Sequence, residues 1–416
     1  MGKETKIITK NWGKINSQNI EAYIHAGGYE ALKKFLFEMT PVSGVEEIKI
    51  SRLCGRGGAG FSTGTKMESV QKEKSSEKYF ICNLDESEPG TYKDRMIVDN
   101  DPHLLLEGII ISSLIVGANK AFICINGNYR KQAHILELAI ERAREKGFMG
   151  EGILDSQYSL EIEIFSGAGA YICGEETALI NSIEGHRGEP KARPPFPTQI
   201  GLFGKPTLVN NAETICNIPW IILNGGHEYA KIGSEKSPGT KLFILDGAIK
   251  NVSVVELPLG TSIRELIETH GGGMAKGKYF WFAQIGGSSG RLILEKDLDE
   301  KLEYDREAKI PVGSGAVLVV DRTVDIHEML LSWTSFFRRE SCGKCVPCRE
   351  GTFRLWEIAK RAKDGKISER DLETIPDILW VLGNATFCPL GKFAAVAFFD
   401  AIDNFRKEIL KEKNIN

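Results

Sequence analysis

Residues 341–348 read SCGKCVPC, and a fourth thiol of the same group, Cys388 in FCPLG, follows Cys348 after 39 intervening residues. No other feature restricts the fold so severely. Cys342, Cys345 and Cys348 stand at consecutive two-residue gaps, a spacing that lets one tight loop aim three thiolates at a cubane, and Cys388, with Pro389 behind it, must come from a separate turn between helices to close the remaining iron site. The pattern predicts one 4Fe–4S cluster. The alternatives are a structural zinc site, which more often draws its cysteines as two CxxC pairs, and unrelated core cysteines. Lys344, Arg338, Arg339 and Arg349 bring positive charge that can offset four thiolates. The chain has nine cysteines, an odd and unevenly spaced set that argues against a disulfide scaffold.

A chain of 416 residues has room for two or three domains, and a net charge of -3 gives no reason to expect a nucleic-acid partner. The N-terminal MGKETKIITKNWGKINS has no apolar run after its lysines, so neither a secretory signal nor an N-terminal anchor is expected. LLLEGIIISSLIVGA at 104–118 is too short to span a bilayer, carries Glu107 and reads as a buried helix. Cytosolic residence follows, compatible with peripheral attachment to a membrane complex.

Along the chain, YFICNL at 79–84 and AFICIN at 121–126 read as buried strands separated by a helix at 102–118. A helical pattern at 131–147 and an alternating strand at 158–165 continue an α/β order. Residues 184–213 hold too much Pro and Gly for regular structure, and long irregular segments often carry function. KLFILDG, NVSVVELP, YFWFAQIGG and GAVLVVD, with the helical TSIRELIETHGG among them, suggest four strands around one helix, a ubiquitin-like β-grasp unit. From Asp325 the chain reads as helices, with Ser368 and Asp371 forming a helix-start signature and Gly351 and Gly391 near helix starts. The expected division is an α/β domain at 1–240, a β-grasp domain at 241–324 and a helical cluster-binding domain at 325–416.

GRGGAG at Gly55–Gly60 matches the dinucleotide fingerprint by letter. The preceding VEEIKISRL is a poor buried strand, however, and the first acid of the loop beyond, Asp85, lies 25 residues past Gly60. Glycines still allow close backbone approach to a phosphate, and Lys66 adds a cation; a structural turn is the alternative. Asn83, Asp85, Glu86, Ser87 and Glu88 in NLDESEPG follow a strand, where α/β proteins place ligand-facing groups, and their carboxylates suit ribityl or ribose hydroxyls. A solvated acidic turn would explain Glu86 or Glu88 equally well. GAGAYICGEETAL at 167–179 puts Glu175, Glu176 and Thr177 in a first helical turn. Cys173 has no His or Asp partner in sequence and reads as a buried thiol.

Taken together, GRGGAGFSTGTKM, NLDESEPGTYKDR, GAGAYICGEETALINSIEG, RPPFPTQIGLFGKPTLVNNAET, SCGKCVPCREG and FCPLG resemble, in order and along almost the whole length, the NADH-oxidising flavin subunit of NADH–quinone oxidoreductase, respiratory complex I. The resemblance implies a Rossmann-like but non-classical FMN-binding domain, FMN, NADH as donor and the 4Fe–4S cluster as next acceptor, with hydride passing from NADH to flavin and single electrons onward. It implies an FMN site of Gly55, Arg56, Gly57, Lys66, Asn83, Asp85, Ser87, Tyr171, Gly174, Glu175, Glu176, Asn210, Asn211 and Thr214. NADH is then expected with Phe61 near its adenine, Glu88 near a ribose and Glu175 positioning the nicotinamide end without a covalent role. Gly58, Ala59 and Gly60 leave space, and Phe196 is a further nucleotide neighbour. The family commonly has proline at Ser62 and lysine at Arg193, so the role of Arg193 toward NADH phosphate is open. Implied partners are a thioredoxin-like [2Fe-2S] subunit, a larger iron–sulfur subunit of the peripheral arm and, indirectly, a membrane arm, with a location on the cytoplasmic side of the inner membrane. The alternatives are a diaphorase subunit of an NAD-linked hydrogenase or formate dehydrogenase and a non-catalytic iron–sulfur module.

Overall fold

Four parallel strands, β1 (Tyr79–Leu84), β2 (Lys120–Asn126), β3 (Glu161–Gly167) and β4 (Thr207–Asn211), form the first sheet in the order β3-β2-β1-β4. The computed structural model describes residues 6–305 and 307–410. The first five residues of the N-terminal reading and residues 411–413 of the last helical phrase lie outside them. β1 and β2 are apolar runs because helices cover them, whereas β3, at the edge, alternates buried Ile162 with exposed Glu161. Around the sheet lie α1 (Thr63–Lys72), α2 (Lys93–Asn100), α3 (Pro102–Val116), α4 (Arg130–Glu145) and α5 (Glu176–Ile183).

Every residue of α3 is buried, including the Glu107 that stood out in its apolar sequence. The Glu107 carboxylate accepts the Tyr23 hydroxyl at 2.5 Å and the N–H groups of Tyr29 (3.0 Å) and Leu32 (3.1 Å), so it caps the helix Glu30–Glu38 from inside the core. Among the described residues no helix is long and apolar enough to cross a membrane.

VEEIKI, read as a poor strand, belongs to a helix, Pro41–Ile50, entered through a Thr40–Ser43 capping box, so a helix rather than a strand precedes the glycine turn. One expectation needs correction here. The stretch 184–213 is irregular only to residue 206; its TLVNN is β4, hydrogen-bonded along β1, with Thr207, Leu208 and Val209 buried. Five residues between prolines and a helix are too few for periodicity to reveal them.

The second sheet holds five strands, β5 (Thr240–Gly247), β6 (Ser253–Pro258), β7 (Phe280–Ile285), β8 (Arg291–Ile293) and β9 (Ala316–Asp321), ordered β6-β5-β9-β7-β8, with β5 and β9 parallel and the other neighbours antiparallel. β8 was missed because three residues carry no pattern. One face of the sheet packs its own core through Phe243, Ile285 and Val319; the other sends Phe282 and Val320 into the helical bundle.

The bundle comprises α6 (Ile326–Glu340), α7 (Val346–Lys363), α8 (Glu369–Ala385), α9 (Pro389–Phe393) and α10 (Val396–Leu410). The Ser368–Asp371 capping box opens α8 as expected. α7 begins at Val346, with Cys345 as N-cap, so Gly351, expected near a helix start, lies inside the helix. A Cβ there would stand 2.8 Å from Leu382, which explains the glycine by the close approach of α7 and α8.

Candidate functional site

Chain order reverses across the first sheet between β1 and β4, and in a parallel sheet the crevice for ligands opens at the carboxyl ends of such strands. Asn83 on β1 lies in register with Asn211 on β4, and Cys82 with Asn210. Asp85, just beyond β1, is buried; its Oδ1 accepts the Ser87 hydroxyl at 2.8 Å, and burial raises its pKa against that hydrogen bond. Its Oδ2 and the Nδ2 of Asn210 are buried without a hydrogen-bond partner. An unpaired acceptor and an unpaired donor at one crevice each cost about 1–3 kcal/mol unless a ligand meets them. A polyhydroxyl chain such as the ribityl group of FMN offers both kinds of partner.

The glycine stretch reaches this crevice by a route that the Rossmann fingerprint does not use. It precedes β1, forms a narrow turn closed by Gly55 N–H to Phe61 O at 2.8 Å, and is held at the β4 end by Arg56 N–H donating to Thr214 Oγ1 at 2.8 Å. Gly58 and Gly60 have φ of +128° and +63°, and a Cβ on Gly57 would come within 3.0 Å of the Asn211 side chain. The Arg56 side chain points away: it is 1% exposed, donates to Pro238 O at 2.7 Å and lies over the Tyr304 ring. Its Nε, however, is buried without a hydrogen-bond partner. Phe61 is 56% exposed and Phe196 49%, leaving two uncovered aromatic faces at the turn and the PPFP loop.

Ser62 is the N-cap of α1, accepting from Thr65 N–H at 3.4 Å, with φ of -59°. That φ already suits proline. Ser62→Pro is therefore expected to lose a cap of about 0.5–1 kcal/mol and regain a similar amount through chain stiffening, leaving the melting temperature almost unchanged in a thermal scan.

From α1, Lys66 Nζ donates to Glu176 Oε2 at 2.6 Å and Val209 O at 2.8 Å, while Arg193 reaches Glu176 at 2.9 Å and Glu175 at 3.6 Å. Burial pushes the Glu176 pKa up, but the two cations outweigh it and hold the carboxyl below its ordinary value. The Arg193 fork engages two glutamates, which one lysine ammonium would do less well. Glu175 caps α5 through Oε2 to the N–H groups of Thr177 and Ala178, each 3.0 Å. Gly174 O accepts Asn83 Nδ2 at 2.9 Å, tying the turn Tyr171–Gly174 to β1.

The acidic loop is not a solvated turn. Glu86 faces inward, accepting the N–H groups of Asp94 (3.0 Å) and Arg95 (3.1 Å) at the start of α2, and its pKa is pushed up to about 7, first by burial and then by Asp94. Glu88 is half-buried against the second sheet.

Cys342, Cys345, Cys348 and Cys388 line one cavity with Ile172 and Pro190. Burial, then the neighbouring thiols, push the Cys348 pKa up to about 12 despite a 3.3 Å contact with the Ser341 hydroxyl. Among the described residues no three His, Cys, Asp or Glu side chains converge on a single-ion site. Four thiols lining one cavity offer one thiolate to each iron of a four-iron cluster. The cavity packs on Tyr171, Ile172 and Cys173, which places it beside the turn that joins β1. Of the four nearby cations, Lys344 donates to Pro190 O at 2.7 Å and Arg349 to Gly343 O at 2.8 Å; Arg338 stacks over Trp356.

Residues 48–220 match the family profile described as the Nuo51 FMN-binding domain, and residues 328–412 match the NADH-ubiquinone oxidoreductase-F iron-sulfur binding region. The chain is 42% identical over 405 residues to the F subunit of the NADH-quinone oxidoreductase of Aquifex aeolicus, covering 97% of this chain and 93% of that one. The chain belongs to the NADH-quinone oxidoreductase F family. It is also 42% identical over 408 residues to the HndC subunit of the NADP-reducing hydrogenase of Solidesulfovibrio fructosivorans, covering 98% and 83% of the two chains. The solved NAD+-reducing [NiFe]-hydrogenase in the H2-reduced state aligns with a TM-score of 0.86 at 30% identity, over 99% of this chain and 68% of that one. For this member of the oxidoreductase F family the cofactors are FMN and one 4Fe–4S cluster, and NADH is the substrate.

This oxidoreductase F chain also holds residues that the sequence did not single out. Lys93, Asp94, Glu213 and Lys241 form a buried charge network: Lys93 Nζ lies 2.7 Å from Asp94 and 3.1 Å from Glu213, and Lys241 Nζ lies 2.6 Å from Glu213. Asn211 donates to Asp94 Oδ2 at 2.7 Å and accepts Glu213 N–H at 3.0 Å, so the network supports the crevice from behind. Glu340, at the end of α6, accepts Tyr171 N–H at 2.8 Å and links the bundle to the turn Tyr171–Gly174. Charged residues inside NLDESEPGTYKDR look like surface, and only the fold places them in the core.

Proposed function

We propose that the chain is the electron-input subunit of an NADH–quinone oxidoreductase, with FMN at the β1–β4 crevice and the 4Fe–4S cluster on Cys342, Cys345, Cys348 and Cys388. The observation that carries this reading is the pair of unpaired buried atoms on Asp85 and Asn210, set one turn away from a cavity ringed by four thiols. Bound FMN takes two electrons as a hydride and gives them up singly, which is what a one-electron cluster requires. The chain's own part is placement. Asp85, Asn210 and Asn83 would hold the ribityl hydroxyls, the glycine turn would let two nucleotides approach its backbone, and Lys66 would neutralise phosphate. Phe61 and Phe196 would cover the adenine side, and Glu88 and Glu175 would orient NADH. The second sheet, ordered 2-1-5-3-4 in its own numbering, supports the β-grasp reading of 241–324 between the α/β domain and the cluster domain. The partners we assign are the thioredoxin-like [2Fe-2S] subunit and the larger iron–sulfur subunit, at the cytoplasmic side of the inner membrane. The similarity to HndC and to the NAD+-reducing hydrogenase favours a diaphorase subunit as the second reading. Co-purifying nickel would distinguish it.

Anaerobic addition of NADH to the flavin- and iron-replete protein should bleach the flavin and reduce the cluster; an unchanged spectrum would overturn the proposal. Asp85→Leu, which removes the unpaired acceptor, should weaken FMN binding about 10–100-fold by fluorescence titration.

A further inference from the structure

We infer that Ser289 and Ser314 of the second sheet are positioning residues that aim the Glu88 carboxylate and so set the affinity for NADH; this rests on the reading of Glu88 as a ribose partner. The two serines sit on loops at one end of that sheet, Ser289 between β7 and β8 and Ser314 just before β9, and both loops meet the acidic loop of the first domain. Glu88 Oε1 accepts Ser289 N–H at 3.4 Å and the Ser289 hydroxyl at 3.3 Å, and the Ser314 hydroxyl and Ser288 N–H lie near enough to favour the ionised carboxylate. Ser314 Oγ also lies 3.3 Å from Thr91 Oγ1. Ser289 also counters the rise that burial gives the Tyr171 pKa on the turn Tyr171–Gly174.

The loop is built closely around this carboxylate. A Cβ on Gly287, where φ is +91°, would fall 2.3 Å from the Glu88 carboxyl carbon, and one on Gly313 would fall 2.5 Å from Gly286 O. From below, Gln284 donates to Ser288 O at 3.3 Å and accepts Trp333 Nε1–H of α6 at 3.0 Å, so the bundle fixes the loop that fixes Glu88. Burial raises the Glu88 pKa, while the serine donors oppose that rise and restrict the carboxylate's rotamers, favouring the form that can accept from a ribose hydroxyl. A loop that served only to join β7 to β8 would have no need of serines on Glu88 or of a glycine at 287.

The test is steady-state kinetics of the FMN-loaded, cluster-containing protein with NADH and an artificial acceptor. Ser289→Ala should raise KM for NADH about fivefold with kcat little changed and FMN content intact, and Ser289→Thr, which keeps the hydroxyl, should restore KM. Ser314→Ala should act in the same direction and serves if the first variant folds poorly. Glu88→Gln separates the two ideas. If it raises KM while both serine variants leave KM unchanged, the inference is overturned and the Glu88 reading stands; if it too leaves KM unchanged, both fall. Loss of FMN with a matching fall in kcat in Ser289→Ala would mark a structural role and would also overturn the inference.

Discussion

Glu213→Gln is expected to destabilise the protein by about 3–5 kcal/mol and to lower its melting temperature by roughly 3–6 °C, because it leaves two buried lysines to share one ionised partner. Glu213 and Lys241 are wholly buried, and Lys93 nearly so. Burial alone would raise the Glu213 pKa, but Lys241 and Lys93 hold it below its ordinary value. Lys241 is pulled down to about 8, by burial first and by Lys93, with Glu213 opposing. Without Glu213, Lys241 would shed its proton at a lower pH still. Between that lower pKa and about 8 the unfolded variant then binds one more proton than the folded variant, whereas in the native protein Lys241 keeps its proton in both states. The unfolding free energy of the variant therefore rises with pH relative to the native protein, and the gap between them should narrow as the pH approaches 8. Glu213 also accepts Leu242 N–H at 2.7 Å and lies two residues beyond Asn211, so it ties the first strand of the second sheet to the carboxyl end of β4. Loosened FMN binding should accompany the thermal shift. Paired melts of native protein and variant at pH 6 and pH 8, with flavin content measured in both, check the prediction; equal losses at the two pH values would refute the charge argument.

That network also shows where sequence reasoning stops. β1 and β2 were legible because parallel strands buried on both faces are written as continuous apolar runs, and the bundle because its helices carry apolar residues at helical spacing. The cysteine quartet was legible because ligand spacing is a local property of a loop. Asn210 and Asn211 came from family resemblance alone, since β4 is too short and too close to prolines to announce itself. Lys93, Asp94, Glu213 and Lys241 could not be found, because a buried ion pair is specified by what lies across the fold and in sequence each member looks like surface. Arg56 came from the family resemblance too, and only the fold shows that part of its guanidinium is engaged inside the protein by Pro238 O and the Tyr304 ring.

Cys388→Ala is expected to separate the two halves of the reaction. Cys388 is the N-cap of α9, with Pro389 in the first helical turn, and the amides of Leu390 and Gly391 lie on the side of its sulfur that favours the thiolate. Burial raises its pKa while those amides lower it, and a metal that binds thiolate would shift the balance further toward deprotonation. A helix N-terminus aimed at the sulfur favours the negative charge that the cluster's ligands carry. Alanine removes the ligand but leaves the start of α9 intact, so the backbone should survive while the cluster is lost. The residues assigned to FMN and NADH lie on the glycine turn, α1, β1 and the loop after it, the turn before α5 and the start of α5, the PPFP loop, β4 and the helix after it, none of which contains Cys388. NADH should therefore still bleach the flavin in a stopped-flow experiment, while the paramagnetic signal of the reduced cluster and electron delivery to one-electron acceptors fall to background. Cys173→Ala is the control: Cys173 is buried against the same cavity without lining it, and it should keep both iron and signal. Full iron content in Cys388→Ala, or loss of iron in Cys173→Ala, would mean that the ligand set is wrong. Persistent flavin reduction with a silent cluster would instead locate the one-electron outlet at the joint between α8 and α9, where the fold brings the last thiol back to the loop before α7.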